Sequence, residues 1–364
     1  MVFLKLKYFV LSLSIAKNLI QLMPNTKKHF ILFIALLVAL VLLFFVNISL
    51  GSVTIPNEEI LKGIFSQKMN KESWEIILYN FRLPKAFTAI LVGMALSISG
   101  LLMQTLFRNP LAGPYVLGLS SGASLGVAFV ILGTGILPSF LSNLFLTSYG
   151  IVVASGLGSA LVLMAVLLVS KKLKDTMAIL IVGLMFGSFT SAIVSVLTYF
   201  STAEQLQKFT FWSLGSLANL SWNEVSLLAI LTFTGLGISF LVIKPLDALL
   251  LGERYANSLG INFKKTRILI IIATSILAGS ITAFVGPIAF IGLAVPHMAK
   301  LLFQTSNHLT LFWSTILLGA IILLFCDIIA QLPGSDLTLP INAITSMIGA
   351  PIVIWLLVRK KNFS

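Results

Sequence analysis

An all-α integral membrane protein of about ten transmembrane helices, with both termini in the cytoplasm, is predicted by three observations. Hydrophobic residues make up 58% of the 364-residue chain and charged residues only 10%, whereas about a quarter of a soluble globular protein is charged. The apolar residues gather in blocks of about 17 to 24, the length an α-helix needs to cross roughly 30 Å of hydrocarbon. The basic residues lie between those blocks, where they set topology. A water-soluble chain of this length needs far more polar surface to cover its core. A transmembrane barrel alternates apolar and polar positions along each strand, and these runs are apolar on all sides.

Residues 1–29 read as a cytoplasmic tail. Lys5, Lys7 and the apolar stretch Tyr8–Ala16 faintly resemble a signal peptide, but the stretch is short and Lys17 follows it. A tail, or a translation start at Met23, is favoured over a cleaved signal. Residues 30–361 read as one transmembrane domain. Its first span is Phe30–Leu50, behind Lys27 and Lys28, and its second is Leu83–Leu106. The third, Tyr115–Leu132, carries Gly118, Gly122 and Gly126 at four-residue spacing, with Ser120, Ser121 and Ser124 alongside. The fourth, Ser148–Val169, is punctuated by Gly150, Gly156 and Gly158. The fifth, Met177–Phe200, has Gly183 and Gly187 followed by Ser188 and Ser191. Lipid tails are as apolar as leucine, so helices associate there by close packing at small residues. These glycine faces therefore either pack helices or make room for a lumen.

The sixth span is Val225–Ile243 and the seventh Ile268–Val285, separated by a cytoplasmic segment at residues 244–267. The eighth is Ala289–Phe303, the ninth Leu309–Leu332 and the tenth Ile341–Val358. Pro287, Pro296 and Pro351, beside Gly286, Gly292 and Gly349, predict kinked or broken helices whose freed backbone groups need partners. Asp327 lies in the second half of the ninth span. An intramembrane carboxylate points to a proton or ion relay or to a structural hydrogen-bonding role. The lack of a matching ladder of His, Lys or Glu on other spans favours the structural role. Of the 24 basic residues, 18 fall in the tails and the links after even-numbered spans, which places both termini in the cytoplasm.

The chain shows no catalytic constellation. It has no P-loop, no zinc-binding His-Glu-x-x-His and no nucleophile elbow. His29, His297 and His308 give no metal-site pattern. Cys326 is the only cysteine, so no intramolecular disulfide forms, and it reads as a packing residue. The net charge of +13 has no basic stripe with interleaved aromatics, so membrane lipid rather than nucleic acid is the expected surrounding.

Several local patterns occur in order along the chain. Arg82-Leu83-Pro84-Lys85 opens the second span, and Gln104-Thr105-Leu106-Phe107-Arg108-Asn109-Pro110-Leu111-Ala112 closes it. Leu117-Gly118-Leu119-Ser120-Ser121-Gly122-Ala123 begins the third. The run Leu251 to Gly260, the run Phe284 to Leu293, Val295-Pro296-His297, Leu339-Pro340-Ile341 and Gly349-Ala350-Pro351 follow. Together, from about Lys27 to Lys361, they resemble the iron-complex and cobalamin importer permease family of ATP-binding cassette transporters.

The resemblance implies a non-enzymatic permease of the bacterial inner membrane with ten helices per subunit. It implies a homodimer, or a heterodimer with a related permease, enclosing a pathway at the subunit interface. Two cytoplasmic ATP-binding subunits and a periplasmic substrate-binding protein complete the machine. ATP is used by the partners, and no cofactor is bound by this chain. The implied cargo is an iron–siderophore or related iron complex, with cobalamin or haem as alternatives. By the same resemblance Asp247, Leu251, Gly252, Glu253, Arg254, Ala256, Leu259 and Gly260 form a coupling segment that docks on the ATPase. An amphipathic segment there could instead lie on the membrane, although its acidic residues disfavour that. Arg82 and Lys85 match positions that receive acidic groups of the binding protein, while a third such position is Gln331 here. Snorkelling at the interface is the other reading of both cations. Thr176 and Met177 fall at the position of a cytoplasmic gate. An ion-coupled secondary carrier, the competing class, predicts paired intramembrane charges.

Overall fold

The computed structural model describes residues 25–65, 67–133, 147–172, 176–218, 220–251, 258–332 and 337–360. In lipid the backbone has no outside hydrogen-bond partner, so each apolar block closes its own bonds as a helix. Helix α1 (Asn25–Ser49) is the first span. Two short helices follow where no span is expected, α2 (Asn57–Ile64) and α3 (Glu72–Ile77). A single π-helical turn, Leu78–Arg82, joins α3 to α4 (Leu83–Leu106).

Helix α2 buries Ile60 and Gly63 and carries Glu58 and Glu59 in its first turn, where the helix dipole favours acids. Glu59 Oε1 accepts from Lys62 Nζ at 2.6 Å and from Asn70 Nδ2 at 2.9 Å, and Oε2 accepts from the Asn70 amide at 2.7 Å. The Lys62 ammonium, then the Asn70 amide, hold the Glu59 carboxyl below its usual range. These contacts are therefore fully present above the unfolded carboxyl pKa of about 4.3 and are lost as pH falls through the lower folded value. Hydrogen exchange at the Asn70 amide, corrected for intrinsic rates, is expected to stay slow from neutrality down to about that value. It should speed up below it, whereas Glu59→Gln should show weakened protection already at neutral pH.

Helix α5 (Leu119–Ile131) is entered through a 3-10 turn, Pro114–Leu117. Gly118 sits between the two at φ +76°, a left-handed conformation that glycine adopts without steric cost. Helices α6 (Ser148–Lys172) and α7 (Thr176–Tyr199) are the fourth and fifth spans. Helix α8 (Ala203–Ser213) is a further short element, started by a reciprocal capping box between Thr202 and Gln205. Ser221 and Glu224 form the same box at the start of α9 (Trp222–Leu241). Helix α10 (Ile243–Leu250) follows within the stretch expected to couple to the ATPase. Helices α11 (Phe263–Val285), α12 (Ile291–Phe303), α13 (His308–Ala330) and α14 (Ile341–Lys360) complete the order.

Among the described residues seven helical stretches are long and apolar enough to cross a membrane, and Leu119–Ile131, Ile291–Phe303 and Ile341–Trp355 are shorter apolar helices. Together they make the ten predicted spans. The 13 residues of α5 or α12 reach only about 20 Å at 1.5 Å per residue. The 3-10 turn extends the first, and the non-helical stretch at residues 286–290 extends the second. That break is where Gly286 and Pro287 predict one, and its backbone groups find partners within the protein. The Val285 carbonyl accepts from the Ser216 amide at 2.8 Å, and the Ala289 amide donates to Asn342 Oδ1 at 3.0 Å.

Helix α4 is the centre of the bundle, with most of its residues buried. It packs against α9, α11, α12 and α13, while α5 packs between α6 and α7 and α1 lies along α13. Backbone approaches depend on glycine. A Cβ on Gly93 would lie 2.2 Å from the Gly319 carbonyl oxygen, and one on Gly100 would lie 1.8 Å from that of Gly292.

Candidate functional site

Of the glycines expected to serve packing or a pathway, Gly118, Gly122, Gly126 and Gly183 meet neighbouring backbone, while Gly187 is looser and borders an open groove. Gly122 and Gly126 of α5 meet α6. Their Cβ atoms would fall 2.6 Å from the Gly158 carbonyl oxygen and 2.0 Å from that of Ala154. Gly118 and Gly183 bring the start of α5 against α7, since a Cβ on Gly183 would lie 2.4 Å from the Val116 carbonyl oxygen. Gly187 is looser, with the Ser121 Oγ at 3.3 Å. Beyond this contact α7 turns an open groove of about 550 Å³ outward, lined by Tyr115, Ser121, Gly187, Ser188, Ser191 and Ser195 among others. Gly187, Ser191 and Ser195 recur at four-residue spacing and so share one helix face.

Two of these hydroxyls turn back on their own helix, Ser188 Oγ to the Leu184 carbonyl at 3.1 Å and Ser195 Oγ to that of Ser191 at 3.0 Å. Among the described residues no charged side chain lines the groove. Its wall is small and neutral, offering hydroxyl lone pairs and little steric obstruction. Met177 is half exposed about 9 Å along the axis from Gly183 at 1.5 Å per residue. Thr176 is the first residue of α7. A second cavity of about 420 Å³ lies between α6, α9 and α11. It is predominantly apolar, and its Ser159, Ser275 and Ser280 hydroxyls donate to backbone carbonyls.

At the opposite end of α4 from Leu106 stand Arg82 and Lys85, and both are engaged within the chain. Arg82 is 9% exposed. Its guanidinium donates to the carbonyls of Ile48 at 2.8 Å, Ser49 at 3.1 Å and Val53, closing the turn after α1. Lys85 Nζ pairs with Asp327 Oδ1 at 3.0 Å. Asp327 Oδ2 accepts from Asn47 Nδ2 at 2.8 Å and Gln331 Nε2 at 2.9 Å. The Asp327 carboxylate is thus hydrogen-bonded near the outer end of its helix, as read from the sequence. Its lysine partner was not anticipated, because the two residues lie on spans far apart in the chain. Gln331, where a third docking cation is looked for, belongs to the same cluster.

At the inner end, α10 turns Asp247 inward. Asp247 Oδ1 accepts from the His308 backbone amide at 2.9 Å and lies 2.7 Å from His308 Nδ1. His308 Nε2 lies 3.0 Å from Thr105 Oγ1 on α4. Arg108 Nη2 donates to the Leu249 carbonyl at 3.1 Å. Leu251 and Leu259 of the expected coupling segment are exposed at 65% and 57%, and Leu250 at 52%. Gly260 takes φ +80°. Gly252, Glu253, Arg254 and Ala256 lie outside the described residues. Asp247, expected to face the ATPase, therefore also faces the helix bundle, while the neighbouring leucines make an exposed apolar surface.

Comparison with known proteins adds a common thread. The sequence profile of the FecCD transport family matches residues 37–359. The hemin transport system permease protein HmuU of Yersinia pestis is 33% identical over 327 residues, covering 90% of this chain and 95% of its own length. The vitamin B12 import system permease protein BtuC of Vibrio parahaemolyticus is 36% identical over 325 residues, covering 88% and 92%. A solved structure described as a metal-chelate type ABC transporter in an inward-facing conformation superposes with a TM-score of 0.78 at 28% identity, over 90% of this chain and 99% of that one.

Proposed function

Because the chain belongs to the FecCD transport family, we propose that it is the membrane-spanning permease of an ATP-binding cassette importer for an iron–siderophore or related iron complex. The observation that carries this reading is the small, neutral, serine-bearing groove along α7. A bulky chelate with its metal already coordinated needs width and weak contacts rather than ligating side chains. Strong binding in the pathway would oppose release, as it does in channels.

In this reading residues 30–361 are the permease domain, 1–29 a cytoplasmic tail and 244–267 the coupling segment, in a multi-pass protein of the bacterial inner membrane. A second permease copy faces the α7 groove and closes the pathway. A periplasmic binding protein delivers cargo to the outer face. Two ATP-binding subunits dock on Leu250, Leu251 and the segment to Gly260, and their cycle alternates which end of the pathway is open. Met177, with Thr176, narrows the cytoplasmic end. Arg82 and Lys85 support docking by holding the turn at residues 48–53 and the outer end of α13 in shape. The relatives named for hemin and vitamin B12 make haem and cobalamin the alternative cargoes.

Lys85–Asp327 is one intramembrane charge pair of the kind a carrier predicts, and membership of the FecCD transport family is what favours the importer over that reading. Uptake of labelled ferric siderophore, haem and cobalamin by a strain lacking the gene tests the cargo. Loss of ferric-siderophore uptake alone, restored by the gene, is expected. Loss of haem or cobalamin uptake instead would reassign the cargo.

Substitution in the groove gives a second expectation. Ser191→Phe should block transport about tenfold or more while leaving the amount of folded permease unchanged, because the side chain enters open space. Normal uptake by that variant would remove the α7 groove from the pathway.

A further inference from the structure

We propose that α4 and α13 move as one rigid strut, and that His308 is the positioning residue through which motion of the cytoplasmic segment enters it. This rests on the importer reading above. His308 is 1% exposed and is the first residue of α13. Its backbone belongs to α13, its Nδ1 and amide meet Asp247 of α10 at 2.7 and 2.9 Å, and its Nε2 meets Thr105 of α4 at 3.0 Å. Three elements are thus tied at one side chain. A carboxylate only accepts, so the Nδ1 at Asp247 carries a hydrogen. The fork of two donors, ring and amide, onto one oxygen fixes Asp247 in direction as well as distance.

Arg108 supplies a second tie, from the end of α4 to the Leu249 carbonyl at the last turn of α10. It does so at φ +46°, a region that non-glycine residues occupy only when their surroundings hold them there. With two attachments to α4 and α13, α10 cannot pivot without carrying both helices.

Above that joint the two helices have little room to slide. The Gly93 and Gly319 backbones touch so closely that a Cβ on Gly93 would overlap the Gly319 carbonyl, and one on Gly319 would lie 2.3 Å from that of Gly93. At the far end Lys85 of α4 and Asp327 of α13 close the pair at 3.0 Å. The helices are therefore clamped at the inner end, the middle and the outer end. A displacement of α10 at the ATPase face arrives at the outer face as a rigid-body motion rather than dissipating in side-chain rearrangement.

The test uses the complete transporter, permease with its ATPase and binding protein, in proteoliposomes. ATP hydrolysis and uptake of a radiolabelled ferric siderophore, or of haem or cobalamin if the deletion strain selects it, are read together. His308→Ala should cut uptake at least tenfold while hydrolysis stays within about twofold. Thr105→Val should lower the uptake-to-hydrolysis ratio in the same direction, and Thr105→Ser, which keeps the hydroxyl, should restore it. If His308→Ala fails to assemble, the Thr105 pair decides the matter alone. Uptake and hydrolysis falling in parallel, or an unchanged ratio in Thr105→Val, would overturn the strut. Wild-type liposomes that show no ATP-dependent uptake would instead sink the importer reading, and the strut with it.

Discussion

Gly100→Ala is expected to abolish accumulation of folded permease, the largest effect of a glycine-to-alanine change among the described residues. The added carbon would sit 1.8 Å from the Gly292 carbonyl oxygen and 2.7 Å from the Gly292 Cα. Both neighbours are backbone atoms, so no side-chain rotation relieves the overlap. Gly292 is itself tightly packed, its Cβ position lying 2.8 Å from the Leu96 carbonyl oxygen and 2.8 Å from Pro114 Cδ. Overpacking in a close-packed core costs about 1–3 kcal/mol and sometimes more, and this contact belongs at the upper end. Gly156→Ala is the matched control, since nothing lies within 4 Å of its Cβ position. The amount of folded permease recovered from membranes should collapse for the first and match the wild type for the second. Equal behaviour of the two would mean that α4 and α12 do not meet as described.

Asp327→Ala should be nearly as damaging, through charge rather than volume. It leaves Lys85 Nζ, on a side chain only 17% exposed, without its counter-ion, and removes the acceptor for Asn47 and Gln331. Removing one partner of a buried pair costs about 3–5 kcal/mol, whereas replacing both by well-packed apolar groups is often neutral. Lys85→Met with Asp327→Leu should therefore recover most of the melting temperature lost in Asp327→Ala. If the double variant unfolds as readily as the single one, the stabilising role of the pair is wrong. The double variant should also separate stability from transport, because it keeps the helices folded while removing the polar clamp at the outer end.

Much of the architecture is legible in the sequence because lipid imposes a simple rule. Apolar runs of sufficient length become helices, and Leu83–Leu106 and Ile341 onward begin where the hydropathy places them. Proline and glycine near 286–290 mark a break that the structure contains. The short helices α2 and α8 escape a reading based on hydropathy, since Asn57–Ile64 and Ala203–Ser213 are too polar to register as spans. The capping pattern Thr202 to Gln205 was the available signal for α8.

The site divides along similar lines. Glycine faces can be read from spacing, but which backbone they meet cannot, so Gly126 against Ala154 and Gly187 against the open groove look alike in sequence. Long-range polar contacts are harder still. Nothing local to Lys85 announces Asp327, and His308 gives no signal of its own until Asp247 and Thr105 are brought to its two nitrogens. Arg82, expected to face outward, binds backbone carbonyls of the turn after α1 instead, because those carbonyls have lost their helical partners.

The measurement closest to the central claim is uptake by proteoliposomes containing the permease, its ATP-binding subunits and its binding protein, energised in separate samples by ATP and by a proton gradient. Accumulation of a ferric siderophore, haem or cobalamin with ATP inside the reach of the ATPase, and none with the gradient or with a non-hydrolysable analogue, is the predicted result. Gradient-driven accumulation by the permease alone would contradict it and return the chain to the class of ion-coupled carriers.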